Sequence, residues 1–570
     1  MFGLTLLDLL VLVTYFVLMI AIGFGSARLV KNREDFYMGG RRFGKFLTAF
    51  FSFGAGTHAD HAVGVASKSY SVGLSGIWYQ WVMLFTLPIY WLLAVIFRRA
   101  RVLTTADFFE LRYGSQFMVL YSFFGMSVCV ILGGVMLFGT ARLIEALTNG
   151  GIPLATAILL MAVASLLYGS LGGLIAAVWN DLFQGILTIV MSLLLIPFFW
   201  LKIGGLGGLQ ASMPNREAVF RLVMDNDITV FWIFMMSINS LMSMVVQPHT
   251  MSNAGSARTE MDSRVGFVSG MVLKRLMTVP WALTGVMAVA LYGQGTIQGD
   301  HAFGTMARDL LPAGFAGLMI ACVMASVMDN VCVFMLCFSG LWTNNIFKRF
   351  LVPTSDERTL LRISRIASAA FGVCSVALSF SFGDAPSALR FTWQTVPLMG
   401  ISFFLGLYWR RANRYGAFAS FLTALIAMLL SNGLFRWSGD AGLPLTISFF
   451  LGTGLVAGVV VSYLTPSESE EKLDRFFLTI NTPIGQEHIL QEFELEVASR
   501  DASVERGQVL SQTIVAERTK VATRTKLLPF QNWEIPVPSR QAWVGFLVCL
   551  GLVLLMLSGL RLLAEWLAHG

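Results

Sequence analysis

Two long apolar stretches of this chain are interrupted near their middles by glycine, proline and polar residues. The first contains Gly54, Thr57, His58, Asp60 and His61, and the second contains Gln247, Pro248 and His249. A helix that is broken inside a bilayer exposes backbone amides and carbonyls that lipid cannot satisfy, so it persists only where it lines a cavity or holds an ion or solute. The two breaks are therefore predicted to form one transport site.

The composition is that of a membrane protein. Hydrophobic residues make up 56% of the chain and charged residues only 13%, whereas about a quarter of the residues in soluble proteins are charged. Apolar runs of roughly 20 residues, the length that crosses a bilayer, predict about 14 spanning helices. Two of them, centred near Met161 and Thr188, are expected to be joined by a short loop at Gly169 to Gly173. The expected fold class is an all-α polytopic membrane protein.

The placement of the net charge of +7 indicates how the chain is oriented. Lysine and arginine cluster in alternate loops, after the first and third helices and again at 348–365 and 410–414. The positive-inside rule makes these loops cytoplasmic and leaves both termini outside. The charge therefore indicates a lipid-bilayer partner and no nucleic acid, and we expect an integral protein of the bacterial inner membrane.

The two breaks also predict how the chain is organised. They lie at comparable places in two runs of about five helices, one starting near Lys45 and one near Thr229, as in an inverted repeat. We expect five regions: an extra N-terminal helix and basic loop (1–44), a transport core (45–411), additional helices (412–465), a polar cytoplasmic insert (466–540) and a C-terminal helix (541–570). The insert is interpreted as a solvated connector, with a regulatory or partner-binding role as the alternative.

Several short motifs occur in the order found in a known family. They are Phe36-Tyr37-Met38-Gly39-Gly40-Arg41, Ala62-Val63-Gly64, Thr104 with Ala106-Asp107-Phe108, Arg112-Tyr113-Gly114, Trp179-Asn180-Asp181-Leu182-Phe183-Gln184 and Gln247-Pro248-His249. In this order they resemble the sodium:solute symporter family, which includes sodium/glucose cotransporters and proline permeases. The resemblance implies the LeuT-type five-plus-five inverted-repeat fold with additional helices.

The resemblance also implies solute-binding positions. His61 matches a solute-contacting side chain of sugar-transporting relatives, Gln80 stands where they have a glutamate, and Gln247 and Gln394 fall near further contact positions. His58, beside His61, joins this set. Amides and imidazoles can both donate and accept hydrogen bonds, which suits a dehydrated pocket. For Gln80 and Gln394 the alternative is that they bridge helices.

The sodium site implied by the family is altered here. Carbonyl groups matching Gly54 and Thr57 hold the family's cation, but Asp329 and Asn330 replace the expected pair of small hydroxyl residues. Asp181 keeps the carboxylate of a second sodium site found in some relatives, whereas Cys332 and Val333 replace its serines. We assign Gly54, Thr57, Asp329 and Asn330 to a sodium site and Asp181 to cation coupling.

Asp329 has three interpretations. A carboxylate within the membrane is functional by default. It could ligate sodium, carry a proton because burial favours its neutral form, or act as a fixed counter-ion for His58, His61 or Lys68. Asp60 and His249 are assigned to gating, and the histidines at the breaks suggest proton or solute handling ahead of a transition-metal site.

Three further cations receive a structural interpretation. Lys68 is expected to reach the outer surface with its long stem. If it points inward instead, an anionic solute becomes plausible. The span centred near Leu283 places Lys274 and Arg275 at its cytoplasmic end, where they would act as anchors.

The expected function is secondary active import of a small polar organic solute by alternating access, driven by sodium and needing no cofactor. Proton-coupled or uncoupled transport and a transporter-like sensor signalling through the insert are the alternatives. An enzyme is not expected, because no nucleophile–base pair or HExxH run occurs in the spans. The oligomeric state is left open, and a monomer is compatible with the sequence.

Overall fold

A computed structural model describes residues 5–27, 39–213, 215–437, 439–501 and 532–569. Over these ranges the chain is almost entirely helical, and its β-pairing consists of isolated bridges such as Trp409 with Trp533. The predicted all-α class is confirmed. The principal helices are α1 (Leu6–Ala27), α2 (Lys45–Gly54), α3 (Ala59–Val72), α4 (Leu87–Arg99), α5 (Thr105–Tyr113), α6 (Ser115–Leu147), α7 (Leu154–Ile203), α8 (Val230–Val246), α9 (Pro248–Gly255), α10 (Glu260–Tyr292), α11 (Ala302–Leu310), α12 (Phe315–Gly340), α13 (Glu357–Ser379), α14 (Ala385–Thr395), α15 (Gly400–Tyr408), α16 (Arg414–Gly433), α17 (Gly439–Leu464), α18 (Glu470–Asn481), α19 (His488–Asp501) and α20 (Arg540–His569).

The predicted spans fall on helical segments, but not one helix to each span, since the two predicted near Met161 and Thr188 both lie on α7. Within the described ranges, nine helices are long and apolar enough to cross a membrane, or ten if the bent α8–α9 pair counts as one span. The other predicted spans are helical but shorter or interrupted. The loop predicted at Gly169 to Gly173 is wrong, because helical backbone continues through it in α7. That stretch contains no proline and no charge that would end a helix.

Both predicted helix breaks are present. The first separates α2 from α3, with His58 in an extended conformation at the N-terminus of α3 (φ −123°, ψ 162°). The second separates α8 from α9 at Gln247, and the two helices meet at a bend of 72°. Pro248 favours this break because it has no N–H to continue the ladder of α8 and its fixed φ suits the first turn of α9.

The long helix α10 is fixed against the first broken helix. It begins where the Thr259 hydroxyl accepts a hydrogen bond from the Asp262 amide, an N-terminal cap. Two of its glycines permit close approach, since a Cβ on Gly270 would overlap the Ala49 carbonyl of α2 and one on Gly285 would overlap the Ala66 carbonyl of α3. These two contacts hold the middle of α10 beside the first break.

Arginines hold together one end of several helices. Arg112 of α5 donates to the carbonyls of Gly406 (2.7 Å), Trp409 (2.9 Å) and Ala412 (2.8 Å). Arg101 donates to the carbonyls of Thr482 and Pro483, which joins the described part of the insert to the core. The family-like motif around Arg112 is thus structural.

Candidate functional site

The two breaks line one cavity of about 80 Å³ in the interior of the bundle. Among the residues assigned to the site from the sequence, six line it: His58, Asp60, His61, Gln80, Gln247 and His249. The wall also contains Lys274, Asn239, Asn253 and the apolar side chains of Met83, Phe334 and Trp393. The structure therefore brings together residues from α3, α8, α9, α10, α12 and α14 around one polar chamber.

The first break presents a compact group of ionisable side chains. His58 Nδ1 lies 3.5 Å from Asp60 Oδ1, and His61 Nε2 lies 3.9 Å from Asp60 Oδ2. The two imidazole rings stack with centroids 4.7 Å apart, and His58 Nε2 donates to the Ala55 carbonyl at 3.1 Å. The three candidate ligand atoms lie within 4.8 Å of one another, so this group could also hold a metal ion.

Lys274 completes this group, contrary to the sequence-based prediction. Its side chain is buried near the middle of α10, where Nζ donates to the Gly56 carbonyl and contacts His61 Nδ1 at 3.1 Å. Arg275 is likewise fully buried and donates to Met83 Sδ at 2.8 Å. The assignment of both residues as cytoplasmic anchors is wrong, because α10 starts at its Thr259 cap rather than close to Lys274. The Thr259-to-Asp262 spacing is the sequence signal that could have placed them correctly.

The second break is tied directly to the first. Gln247 is extended and lines the cavity, while His249 packs edge-on against Phe334 with ring centroids 5.2 Å apart. Ser52 of α2 donates to Asn253 Oδ1 of α9 at 2.9 Å, across a sequence separation of 201 residues. The two breaks therefore meet, as an inverted repeat requires.

Gln80 and Gln394, assigned together from the sequence, lie in different places. Gln80 is buried and lines the cavity. Gln394 lies outside it, and its Oε1 accepts a hydrogen bond from Asn432 of α16 at 2.8 Å. Gln394 thus bridges two helices, the alternative role. It cannot line the cavity because it points away from the side of α14 on which its neighbour Trp393 lies.

A group of buried carboxylates and amides lies on the other side of α2. Asn180 of α7 donates to Asp329 Oδ1 at 3.3 Å. Asn330 donates to the Gly54 carbonyl at 3.2 Å and to the Ser326 carbonyl at 2.8 Å. Asp181 packs so closely on Gly54 that a Cβ there would overlap its carboxylate. Within the described residues, neither oxygen of Asp181 has a hydrogen-bond partner.

This group contains Gly54, Asp181, Asp329 and Asn330 as the sequence implied, and Thr57 lies beside it with a buried hydroxyl. The counter-ion interpretation of Asp329 gains no support, because His58 and His61 face Asp60 and Lys68 pairs with other carboxylates. Within the described residues, both Asp181 oxygens and the Thr57 hydroxyl have no hydrogen-bond partner, whereas the Gly54 carbonyl already accepts a hydrogen bond from Asn330.

Ion pairs that the sequence did not reveal lie near the C-terminal end of α3. Lys68 Nζ lies 2.7 Å from both Asp227 and Asp440, so its assignment as a surface-seeking lysine is wrong. The Asp440 carboxylate also accepts from Tyr79 (2.8 Å) and pairs with Arg390 (3.4 Å). Tyr79 in turn packs on Trp393, which lines the cavity. The network of Lys68, Asp227, Asp440, Tyr79 and Arg390, here called the outer network, therefore borders the chamber through the Tyr79–Trp393 contact.

The comparisons with known proteins agree with this architecture. A sequence profile described as "Sodium:solute symporter family" matches residues 36–424, more than half of the 570 residues. The chain belongs to the sodium:solute symporter family. The family resemblance of the short motifs is thereby confirmed.

Relatives within the family are distant but extensive. The sodium/glucose cotransporter of Vibrio parahaemolyticus is 22% identical over 464 residues, which cover 73% of this chain and 83% of that protein. The osmoregulated proline transporter OpuE of Bacillus subtilis is 23% identical over 497 residues, covering 80% and 95%. The relatives thus differ in the solutes they are named for.

A solved structure shares the fold. It is the substrate-bound outward-open state of a Na⁺-coupled sialic acid symporter, with a TM-score of 0.71 at 16% identity over 82% of this chain and 99% of that chain. This likeness confirms the LeuT-type five-plus-five fold predicted for a member of this symporter family.

Proposed function

We propose that this symporter imports a small polar organic solute by alternating access, coupled to a cation that binds beside the first broken helix. The observation that carries the proposal is the buried polar chamber formed where the two helix breaks meet. Irregular backbone and ionisable groups at this depth are tolerated where they line such a chamber.

We assign solute contact to His58, His61, Gln80 and Gln247, because all four line the chamber. Lys274 joins them, whereas Gln394 does not. Asp60 and His249 remain proposed gating residues, since each lies in the wall next to a break. Asp60 contacts His58 and His61 at the first break, and His249 packs on Phe334 of α12 at the second.

Sodium is the proposed coupling ion, supported by the family and by the named cotransporters among the relatives. Asp181 and Asp329 would provide carboxylate oxygens, which suit a hard cation, and Thr57 and Asn330 border the same group. A proton is the second candidate, favoured by one observation: Asn330 donates to the Gly54 carbonyl that sodium is expected to use. Two buried carboxylates in one site share a proton readily.

In the proposed cycle, the outer network opens to admit solute and cation and then closes over them. The cation bound between α2 and α12 would favour the outward-open state, and solute binding would favour closure over the chamber. The inner arginine contacts would then release to open the chamber to the cytoplasm. We place both termini outside and the polar insert in the cytoplasm, on the distribution of cationic loops.

The test is uptake into proteoliposomes by Asp181→Asn and Asp329→Asn, each driven separately by a sodium gradient and by a proton gradient. We expect both variants to insert normally and to lose gradient-driven uptake, while Asp309→Asn, a peripheral carboxylate variant, keeps it. Sodium-stimulated uptake at the parental rate in both variants would contradict coupling at this site. Deleting residues 502–531 is expected to leave uptake intact, and a loss of signalling without loss of uptake would favour a sensor.

A further inference from the structure

Lys274 is a buried cation in the chamber wall whose charge the transport cycle described above does not use. Its side chain is only 3% exposed, near the middle of a membrane helix, where a charge is costly and functional by default. An ammonium group has three N–H donors. Two of them are directed at the Gly56 carbonyl and His61 Nδ1, and the side chain borders the chamber. One donor and the positive charge remain available to a solute.

Among the described residues no carboxylate lies within ion-pair distance of Lys274, and the attraction that it receives comes from Asp60 at longer range. Asp60, the carboxylate in the same wall, faces His58 and His61. The contrast with Lys68 is direct, because that buried lysine lies 2.7 Å from each of two carboxylates. Buried charges are normally paired at short range, so the Lys274 ammonium still has a place for an anion in the chamber.

A second observation on the same helix points to an anion. Arg275 is fully buried, and its Nε and Nη1 have no hydrogen-bond partner within the described residues. Among the described residues, the guanidinium donates one hydrogen bond, to Met83 Sδ, and Met83 lines the chamber. Two consecutive cations on α10 therefore give this side of the chamber a positive potential that attracts negative charge.

Other parts of the wall offer acceptors. Asn239 of α8 donates to the Trp393 carbonyl at 2.9 Å, which fixes its amide, and its Oδ1 has no hydrogen-bond partner among the described residues. Gln80 Oε1 is also buried without a partner in the described part of the chain. These oxygens need a hydrogen-bond donor from the solute. The chamber of about 80 Å³ is far below the roughly 300–1,000 Å³ of pockets for drug-sized ligands, so it closes around a small molecule.

We propose that the transported solute is a small organic carboxylate that also carries a hydroxyl or amino group, with its carboxylate bound by Lys274 and its donor group bound by Asn239 and Gln80. This inference rests on the proposed transport function and names its substrate class. Lys274 provides charge and a donor, His61 fixes the position of its ammonium, and the amide oxygens select for a solute with a donor.

The experiment measures thermal stabilisation and gradient-driven uptake of the purified, reconstituted protein with defined probes. Lactate and alanine carry both groups, propionate lacks the donor, glycerol and glucose lack the carboxylate, and inorganic phosphate is an anion without carbon. We expect lactate or alanine to stabilise the protein and to be taken up, propionate to bind more weakly, and glycerol, glucose and phosphate to have no effect. A ligand that binds the folded state raises its stability in this assay.

The variants then test the residues. Lys274→Met is expected to weaken binding of the active probe about 100-fold, since removing one partner of a buried charge-assisted contact has effects of this size. Lys274→Arg should restore part of the affinity, and Lys202→Met, at an exposed lysine near the end of α7, should change nothing. Asn239→Ala is expected to remove the preference for lactate or alanine over propionate, a change that a general loss of folding would not produce.

Stabilisation by glycerol or glucose, unaffected by Lys274→Met, would overturn the inference, and so would the failure of every carboxylate to bind. If the inference is overturned but a neutral probe is taken up in response to a gradient, the proposed transport function is still supported. Conversely, Lys274-dependent binding of lactate or alanine without gradient-driven uptake would support the carboxylate site and contradict the transport function.

Discussion

Replacing Lys68 by methionine should open the outer side of the chamber. Lys68 Nζ lies 2.7 Å from Asp227 and 2.7 Å from Asp440, and the three side chains are 10%, 27% and 7% exposed. Removing one partner of a fully buried ion pair costs about 3–5 kcal/mol. The cost here should be lower, because Asp227 is partly exposed and Asp440 keeps Tyr79 and Arg390.

A loss of about 1.5–3 kcal/mol from the outward-closed state corresponds to a roughly 10- to 100-fold larger open population. The assay is the rate at which a membrane-impermeant thiol reagent, added outside, labels Thr392→Cys in the chamber wall. Cys374, the one native cysteine exposed at the surface, is replaced by serine in the background. Lys68→Met should raise this rate about 10- to 100-fold, and Lys68→Arg should raise it less. A rate within twofold of the parent would refute the assignment of this network as the outer closure.

Two further predictions concern the cation site and the inner end. Asn330→Ser removes the amide that donates to the Gly54 carbonyl and supplies a hydroxyl oxygen in its place. We expect the sodium concentration for half-maximal stabilisation to fall by about tenfold, or about 1.4 kcal/mol. An unchanged or higher concentration would contradict the proposed competition between Asn330 and sodium for the Gly54 carbonyl. In Arg112→Lys, the single side-chain nitrogen cannot reach all three carbonyls of Gly406, Trp409 and Ala412. Denaturant unfolding in detergent should therefore show a free energy of unfolding lower by about 1–3 kcal/mol. A free energy equal to that of the wild type would show that these contacts contribute nothing to stability.

The two breaks could be predicted from the sequence because their causes are local. Gly54, Gly56 and Pro248, with the polar residues beside them, cannot continue a lipid-exposed helix. That local chemistry, together with the family motifs, was enough to predict the fold class and six residues of the chamber wall.

The residues that were misplaced or missed depend on helix limits and on contacts between distant segments. Hydropathy predicts Lys274 at a helix end because it centres the span on its most apolar part, near Leu283, while α10 begins at its Thr259 cap. The outer network joins Lys68 to Asp440 across 372 residues, a pairing that no spacing rule reveals. Gln394 and Trp393 are neighbours on α14 but face different directions, and which of them faces the chamber depends on tertiary packing.

The central claim is that both helix breaks line one chamber that opens alternately to the two sides of the membrane. It is tested most directly by Ser243→Cys, in the chamber wall just before the second break, labelled from either side of oriented vesicles with and without the coupling gradient. The account predicts that labelling from outside and from inside changes in opposite directions when the gradient is applied. Labelling that is absent from both sides, or that changes in the same direction on both, would contradict it.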